Sequence, residues 1–186
     1  MRKILFAGGL IAALMFTLIV SAAAPANFAG TWSLDKNKSQ NLGRLQNAES
    51  VTWTITQTDK QITIDQKIKA GEMAGGGPGG PGGGPGGPGG GRGPGGGMGG
   101  PRSYNLDGTE STFEMGQSKG TRKATWSNDG KTLELTTRSS FTTPDGERTM
   151  TSTDKLELSA DGKVLTVNQH REGGRGPQDA ILVFNK

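Results

Sequence analysis

The chain has 186 residues, no cysteine, one histidine and a formal net charge of +4. The absence of cysteine excludes a disulfide framework, so a folded domain must be stabilised by a hydrophobic core. Setting aside Arg2 and Lys3 leaves 19 basic and 17 acidic residues, and this near balance gives no electrostatic footprint for nucleic acid or for an anionic membrane.

Residues 1–26 have the pattern of a secretory signal peptide. Arg2 and Lys3 precede an apolar run over residues 4–20, and small residues follow that run. We predict cleavage after Ala26, or after one of residues 22–24, and export to the periplasm or secretion with no stable membrane anchor. The alternative is an uncleaved N-terminal anchor, because the apolar run approaches the roughly 17 residues that span a bilayer.

The sequence after residue 26 predicts antiparallel β-strands joined by tight turns. Asp-Gly recurs at 107–108, 129–130, 145–146 and 161–162, and glycine accepts the positive φ that such turns require. Between the turns apolar and polar residues alternate, as in VTWTITQ at 51–57, and this period of two is typical of half-buried strands. The predicted strands are residues 29–35, 50–57, 61–69, 102–106, 110–115, 121–127, 131–142, 147–158, 163–170 and 179–185.

These serial strands predict one all-β domain spanning residues 27–186. Because a row of hairpins covers its edges best by closing on itself, we expect an antiparallel up-and-down meander that closes into an eight- to ten-stranded barrel. A β-sandwich is the alternative. Residues 35–50 break the strand rhythm, and we expect a short helix or an ordered loop there, over one end of the barrel.

Residues 71–101 form a Gly/Pro-rich tract that interrupts the domain. Of the 27 residues from 75 to 101, 19 are Gly and 6 are Pro, so the tract cannot bury enough apolar surface to offset the entropy of ordering, and we predict that it is disordered. It is either an expanded permissive loop or a fringe that controls access to the barrel mouth or binds a cell-envelope partner. A shorter cluster, EGGRGPQD at 172–179, would share a rim with it if both lie at one barrel end.

The opening sequence NFAGTWSLDKNKS, from residue 27 to residue 39, resembles the first strand of lipocalins and fatty-acid-binding proteins, where Gly-x-Trp begins the strand. The later hairpins and the terminal ILVFNK resemble the second half of intracellular lipid-binding proteins, and the chain is similar to lipocalin-like domains of exported bacterial proteins. The resemblance implies a non-enzymatic barrel that binds a small apolar or amphipathic molecule. It also implies that Gly30 and Trp32 are structural residues at the closed barrel end.

The resemblance also indicates where a ligand would lie. In fatty-acid-binding proteins an Arg and a Tyr two residues apart receive the ligand carboxylate, whereas the corresponding residues here are Leu182 and Phe184. The ligand is therefore expected to be neutral, or its charge partner comes from elsewhere, for example from Arg122, Arg138 or Arg148. The residues predicted to line the cavity are Trp53, Tyr104, Trp126, Arg138 and Phe184.

A second function belongs to a different class. In this alternative the chain is a structural or interaction protein, its barrel is packed, and the Gly/Pro-rich tract contacts a cell-envelope partner. Interior polar residues and an open cavity favour binding, whereas an interior filled by aromatic side chains favours the alternative. The aromatic residues in question are Trp53, Phe113, Trp126 and Phe141.

We predict no catalytic residue, no metal site and no cofactor. The chain lacks a Gly-x-Ser-x-Gly motif, and its lone His170 has no metal-binding partner at a useful spacing. Some lipocalin-like barrels hold haem through one axial His, so haem bound by His170 is retained as an alternative. Those barrels have further glycines after Gly-x-Trp, where this chain has Ser33-Leu34-Asp35.

Overall fold

The computed structural model describes residues 24–71, 100–116, 118–143, 146–174 and 176–186. Most of the predicted signal peptide and most of the Gly/Pro-rich tract lie outside the described residues, so cleavage and disorder there stay predictions. The described residues form ten strands and one 3₁₀ helix. Among them, no helix has the length and apolar character needed to cross a membrane.

The ten strands occur where the alternation of the sequence predicts them. They are β1 (Gly30–Leu34), β2 (Ala48–Gln57), β3 (Gln61–Ala70), β4 (Arg102–Asn105), β5 (Ser111–Met115), β6 (Ser118–Trp126), β7 (Thr132–Thr143), β8 (Gly146–Leu158), β9 (Val164–Glu172) and β10 (Gln178–Asn185). The 3₁₀ helix, Gly43–Asn47, lies between β1 and β2, inside the segment predicted to hold a short helix or a loop.

All ten strands belong to one antiparallel sheet. Its order is β4-β3-β2-β1-β10-β9-β8-β7-β6-β5, so every neighbouring pair except β1 and β10 is consecutive in the chain. The edge strands β4 and β5 do not pair with each other, but the Tyr104 hydroxyl on β4 hydrogen-bonds the Thr137 hydroxyl on β7 at 2.9 Å. The sheet is thus a nearly closed barrel, which confirms the predicted meander over the β-sandwich.

The two ends of the barrel carry different connections. The lower end has the turns that follow β2, β4, β6 and β8, while the upper end has the 3₁₀ helix and the connections after β3, β5, β7 and β9. At the upper end the N–H of Gly71 donates to the carbonyl of Asn47 in the 3₁₀ helix at 3.3 Å. The flanks of the Gly/Pro-rich tract and the cluster at 172–179 therefore lie at the same end, as a shared rim requires.

Two turns of the lower end repeat one hydrogen-bonding pattern, Ser-x-Asp-Gly-Lys. The hydroxyls of Ser127 and Ser159 donate to the carboxylates of Asp129 and Asp161 at 2.6 Å. In each turn the backbone N–H of the lysine donates to the same carboxylate at 3.1 Å. The glycines of these turns have φ of 68° and 66°, a conformation that other residues rarely adopt. The bonds, that of the serine foremost, lower the pKa of each carboxyl.

The lower end is closed by aromatic side chains. Phe28 and Trp32 are fully buried, and the Trp32 indole N–H donates to the Phe28 carbonyl at 2.9 Å. The Phe28 ring stacks on Trp126 with centroids 6.0 Å apart, and the Lys186 ammonium lies 5.3 Å from the centre of the Trp32 ring. A side chain at Gly30 would approach Lys186, because its Cβ would lie 3.0 Å from the Lys186 Cε.

Candidate binding site in the barrel interior

Three rows of inward side chains cross the whole wall from β6 to β10, because alternate residues of a strand face the same side. A further row at the lower end, Leu158, Leu165 and Phe184, spans only β8 to β10. The apolar row is Trp126, Leu133, Leu156, Val167 and Leu182. The mixed row above it is Ala124, Leu135, Asp154, Gln169 and Ala180. The polar row, nearest the upper end, is Arg122, Thr137, Ser152, Arg171 and Gln178. The interior therefore changes from apolar to polar along the barrel axis.

Burial follows the same gradient. Leu133, Leu156 and Val167 of the apolar row are fully buried, and Asp154 and Gln169 of the mixed row are nearly so. The members of the polar row keep partial or greater solvent exposure. A barrel packed throughout would bury inward side chains at every level, so the upper part of the interior is open to solvent.

An ion pair crosses this interior. The Arg102 guanidinium on β4 lies 3.8 Å from the Asp154 carboxylate on β8, although the two strands are not neighbours in the sheet. The Gln169 amide donates to the same carboxylate at 2.7 Å. Asp154 is 2% exposed, and buried carboxylates require such partners because their desolvation is costly. The ion pair thus links β4 to the mixed row across the barrel interior.

Trp53 lies beneath this ion pair. Its ring centre is 4.7 Å from that of Phe184 and 5.7 Å from the Arg102 guanidinium carbon, within the range of a cation–π contact. Trp53 is 1% exposed, and its indole N–H has no hydrogen-bond acceptor among the described residues. An unsatisfied buried donor costs about 1–3 kcal/mol, so an acceptor brought by a ligand would be stabilising here.

Arg122 is the second arginine of the interior. Its guanidinium carbon lies 4.2 Å from the centre of the Phe113 ring and 6.0 Å from that of Tyr104. Its Nε is buried and has no partner among the described residues. Desolvation lowers the pKa of Arg122 below its usual range, and the positive charge of Arg102 adds to that shift. The site therefore presents a cation that no carboxylate among the described residues neutralises.

Arg171 is the third arginine and lies two residues beyond Gln169 on β9, on the same face of the strand. Desolvation by the surrounding protein lowers the pKa of Arg171; Asp154 opposes this shift, and Arg102 and Arg44 add to it. The side chain still contacts solvent over much of its surface. Both observations hold for a group at the mouth of the barrel, where protein surrounds a side chain without sealing it from water.

The residues predicted to line the cavity are distributed unevenly. Trp53, Tyr104 and Phe184 are buried in the interior, and Trp126 is half-buried at the lower end. The structure does not bring Arg138 to them, since it is exposed on the outer side of β7. Of the other arginines considered as charge partners, Arg122 faces inward and Arg148 is exposed near the upper end of β8.

Sequence reasoning missed Arg102, Asp154, Gln169 and Arg171. A signal for three of them was present, because Asp154 continues the phase of Leu156, while Gln169 and Arg171 continue that of Val167. Arg102 begins a strand of four residues, which is too short to show a phase. Leu182 and Phe184, where the resemblance would place an Arg and a Tyr, are buried and apolar, so the interior charge comes from other strands.

His170 lies on the outer face, between the inward-facing Gln169 and Arg171. Its Nδ1 is 2.6 Å from the Asp179 carboxylate and its Nε2 is 3.3 Å from the Glu172 carboxylate. The bond to Asp179, then that to Glu172, raises the pKa of His170. Within the described residues no group of three or more His, Asp or Glu side chains is placed to hold a metal ion. Haem bound by His170 stays a hypothesis.

No family model matches the sequence, and no curated protein matches it. Among solved structures, the chain is similar to a zebrafish ileal bile acid-binding protein complexed with cholic acid. The two are 13% identical over 86% of this chain and 98% of that chain, with a TM-score of 0.46.

Proposed function

We propose that this protein is a non-enzymatic binding barrel for a small amphipathic molecule with an anionic head group. The observation that carries the proposal is the order of the three rows, apolar below and guanidinium-bearing above. The apolar body of the ligand packs on the upper side of the apolar row, whose fully buried side chains must move apart to admit it, and its head group meets Arg122 and Arg171. Pockets of this kind, mostly apolar with a few placed polar groups, are typical of small-molecule sites.

An unsatisfied donor of the interior supports an anionic ligand. Arg122 Nε is buried without an acceptor among the described residues. Withdrawing a guanidinium from water is costly unless an anion or another acceptor meets it. A ligand anion supplies that acceptor, so the arrangement is more stable when occupied than when empty. A neutral ligand would leave the arginines unpaired.

The packed-barrel alternative accounts for the lower and middle interior, where the apolar side chains are buried, but not for the polar row. Of the aromatic residues that were predicted to fill it, Trp53 is buried, but Phe113, Trp126 and Phe141 are each only half-buried. The polar row above them keeps contact with solvent. The contact of the Gly/Pro-rich tract with a cell-envelope partner stays a prediction, since nearly all of the tract lies outside the described residues.

The ligand would enter at the upper end. Phe28 and Trp126 close the lower end, and the half-exposed residues lie toward the upper one.

We further propose that the protein binds its ligand in the periplasm or outside the cell, because residues 1–26 have the pattern of a secretory signal peptide. Fractionation of host cells tests the location, and recovery of the protein with its N-terminal segment intact in the cytoplasm would contradict export.

Native mass spectrometry of the protein purified from its own host tests the binding function. We expect a discrete adduct that denaturation releases as a small molecule. An Arg122→Met variant should lose most of the adduct, whereas the matched control Arg138→Met, on the outer face, should keep it. Bare protein in the wild type, under conditions that retain ligands in comparable barrels, would argue against a carrier.

A further inference from the structure

We propose that the polar row recognises a head group that carries two negative charges, as a phosphate monoester does. This inference rests on the proposed function and adds the charge of the ligand to it. It is carried by the balance of charges in the interior and by the position of the two unpaired arginines in one row of the wall.

The charge balance comes first. The described inward residues between the apolar row and the rim include three guanidiniums, on Arg102, Arg122 and Arg171, and one carboxylate, on Asp154. Asp154 is already paired with Arg102 and bonded to Gln169. Among the described residues, neither Arg122 nor Arg171 has a carboxylate within ion-pair distance. A ligand with one negative charge would therefore leave one of these two cations uncompensated.

The two cations share a row. The register pairs Arg122 with Thr137, Thr137 with Ser152, and Ser152 with Arg171. Three strand spacings amount to roughly 14 Å along the wall, a separation that two arginine side chains can span when both reach inward to one head group. The hydroxyls of Thr137 and Ser152 lie between them. One head group in front of this row meets two guanidiniums and two hydroxyls.

The number of donors suits an acceptor-rich anion. A phosphate monoester has three terminal oxygens and carries close to two charges above its second pKa of about 6. Guanidinium forks bind such oxygens in pairs. The Thr137 hydroxyl is held in place by Tyr104 at 2.9 Å, so that part of the row is already ordered. The rest of the molecule extends downward toward the apolar row, whose buried side chains must separate to admit it.

A matched pair of probes tests the charge. Decyl phosphate and decyl sulfate have the same chain and a similar tetrahedral head, but at pH 8 the first carries two charges and the second one. We expect calorimetric titration of the purified protein to show decyl phosphate binding at least about tenfold more tightly, since one charge-assisted contact is worth that much. Decylmalonate and decanoate repeat the comparison with carboxylates. A preference for decylmalonate would show that the protein recognises the charge of the head group rather than its tetrahedral shape.

Variants connect the preference to the row. Arg122→Met and Arg171→Met should each reduce the ratio of the two affinities to within about threefold, while Arg138→Met leaves it unchanged and Arg122→Lys keeps part of it. Near-ultraviolet circular dichroism of each variant confirms that the barrel is intact.

The outcomes separate the two proposals. Equal affinity for decyl phosphate and decyl sulfate, with both bound, would overturn the inference and leave the binding barrel standing. A preference that persists unchanged in both methionine variants would also overturn it, because the charge would be read elsewhere. Failure of all four probes to bind would overturn both proposals together.

Discussion

Asp154 supplies the negative charge that pairs with Arg102 in the barrel interior. Replacing it by Asn keeps an acceptor for the Gln169 amide but leaves Arg102 without its carboxylate. We expect Asp154→Asn to lower the free energy of unfolding by about 1–2 kcal/mol and to tighten binding of decyl phosphate, because the interior gains net positive charge. Urea denaturation and calorimetry measure the two effects.

The control for this prediction is an ion pair on the outside. Lys155 and Glu134 lie 3.4 Å apart with both side chains well exposed, and exposed pairs contribute little. Glu134→Gln should therefore leave both stability and affinity nearly unchanged. Equal effects of the two substitutions would show that the Arg102–Asp154 pair adds nothing specific to the interior.

His170 makes stability depend on pH through its partner Asp179. The folded-state pKa of His170 is raised, so its contribution is fully present below the unfolded value of about 6.5 and is lost as the pH rises through the folded value. We expect Asp179→Asn to lower Tm at pH 5.5 and to have a smaller effect at pH 8.5. Glu172→Gln, which removes the longer contact, should have the weaker effect of the two. A Tm difference for Asp179→Asn that is independent of pH would reject this account.

The sequence around Arg138 does not show which face of β7 this residue occupies, and for this reason Arg138 was predicted to line the cavity. In TTRSSFTT, the part of β7 from 136 to 143, small hydroxyl residues occupy both faces of the strand. The pattern therefore carries no contrast between inside and outside, and a shift of one position exchanges the two. In β9 the contrast is strong, and its phase places Arg171 inside without ambiguity.

At the scale of elements, β6 and β7 approach most closely at Gly120. A Cβ there would overlap the Arg138 carbonyl oxygen and lie 2.9 Å from the Ser139 Cα. We expect Gly120→Ala to lower the free energy of unfolding by about 1–3 kcal/mol because backbone, not a flexible side chain, must move. The strands would separate one position above Arg122, so ligand affinity should fall as well.

Gly173→Ala is the matched control for this strand contact. Its Cβ would meet the Met150 side chain at 3.5 Å, an ordinary contact. We expect a change within about 0.5 kcal/mol, as for most surface substitutions. If chemical denaturation finds the two alanine variants equally stable, the close approach of β6 to β7 is not a constraint.

The segment before β1 is part of the lower end. The Ala26 N–H donates to the Gly130 carbonyl, and the Gln57 amide donates to the Ala26 carbonyl, both at 2.9 Å. Gln57 also accepts from the Phe28 N–H at 2.9 Å. Cleavage after Ala26 would remove the two bonds that Ala26 makes, whereas cleavage after one of residues 22–24 would keep them.

We therefore expect N-terminal sequencing of the processed protein to place its start before Ala26. Two recombinant chains give a direct comparison, and one beginning at Ala24 should have a higher Tm than one beginning at Asn27. Equal melting temperatures, together with a processed start at Asn27, would show that the Ala26 contacts do not influence processing.

At the scale of the whole molecule, the strands were predictable because their signals are local. Turn glycines, alternating faces and Ser-x-Asp-Gly-Lys turns each occupy a few consecutive residues. The candidate site was not predictable in the same way, because Arg102 and Asp154 are brought together only when the sheet curves and nearly closes. A sequence pattern fixes which face a residue occupies, but the closure of the sheet decides what lies opposite it.

The pairing of β1 with β10 also determines when the barrel can form during synthesis. The Asn185 amide donates to the Asp35 carboxylate at 3.2 Å, across 150 positions of the chain. The strands β2 to β4 and β5 to β9 are joined in the sheet only through these first and last strands, and contacts of such sequence separation are slow to form. Until β10 has left the ribosome, the nascent chain lacks the strand that joins its two halves. The complete barrel therefore forms only after β10 has been made, although nine of the ten described strands are synthesised before it.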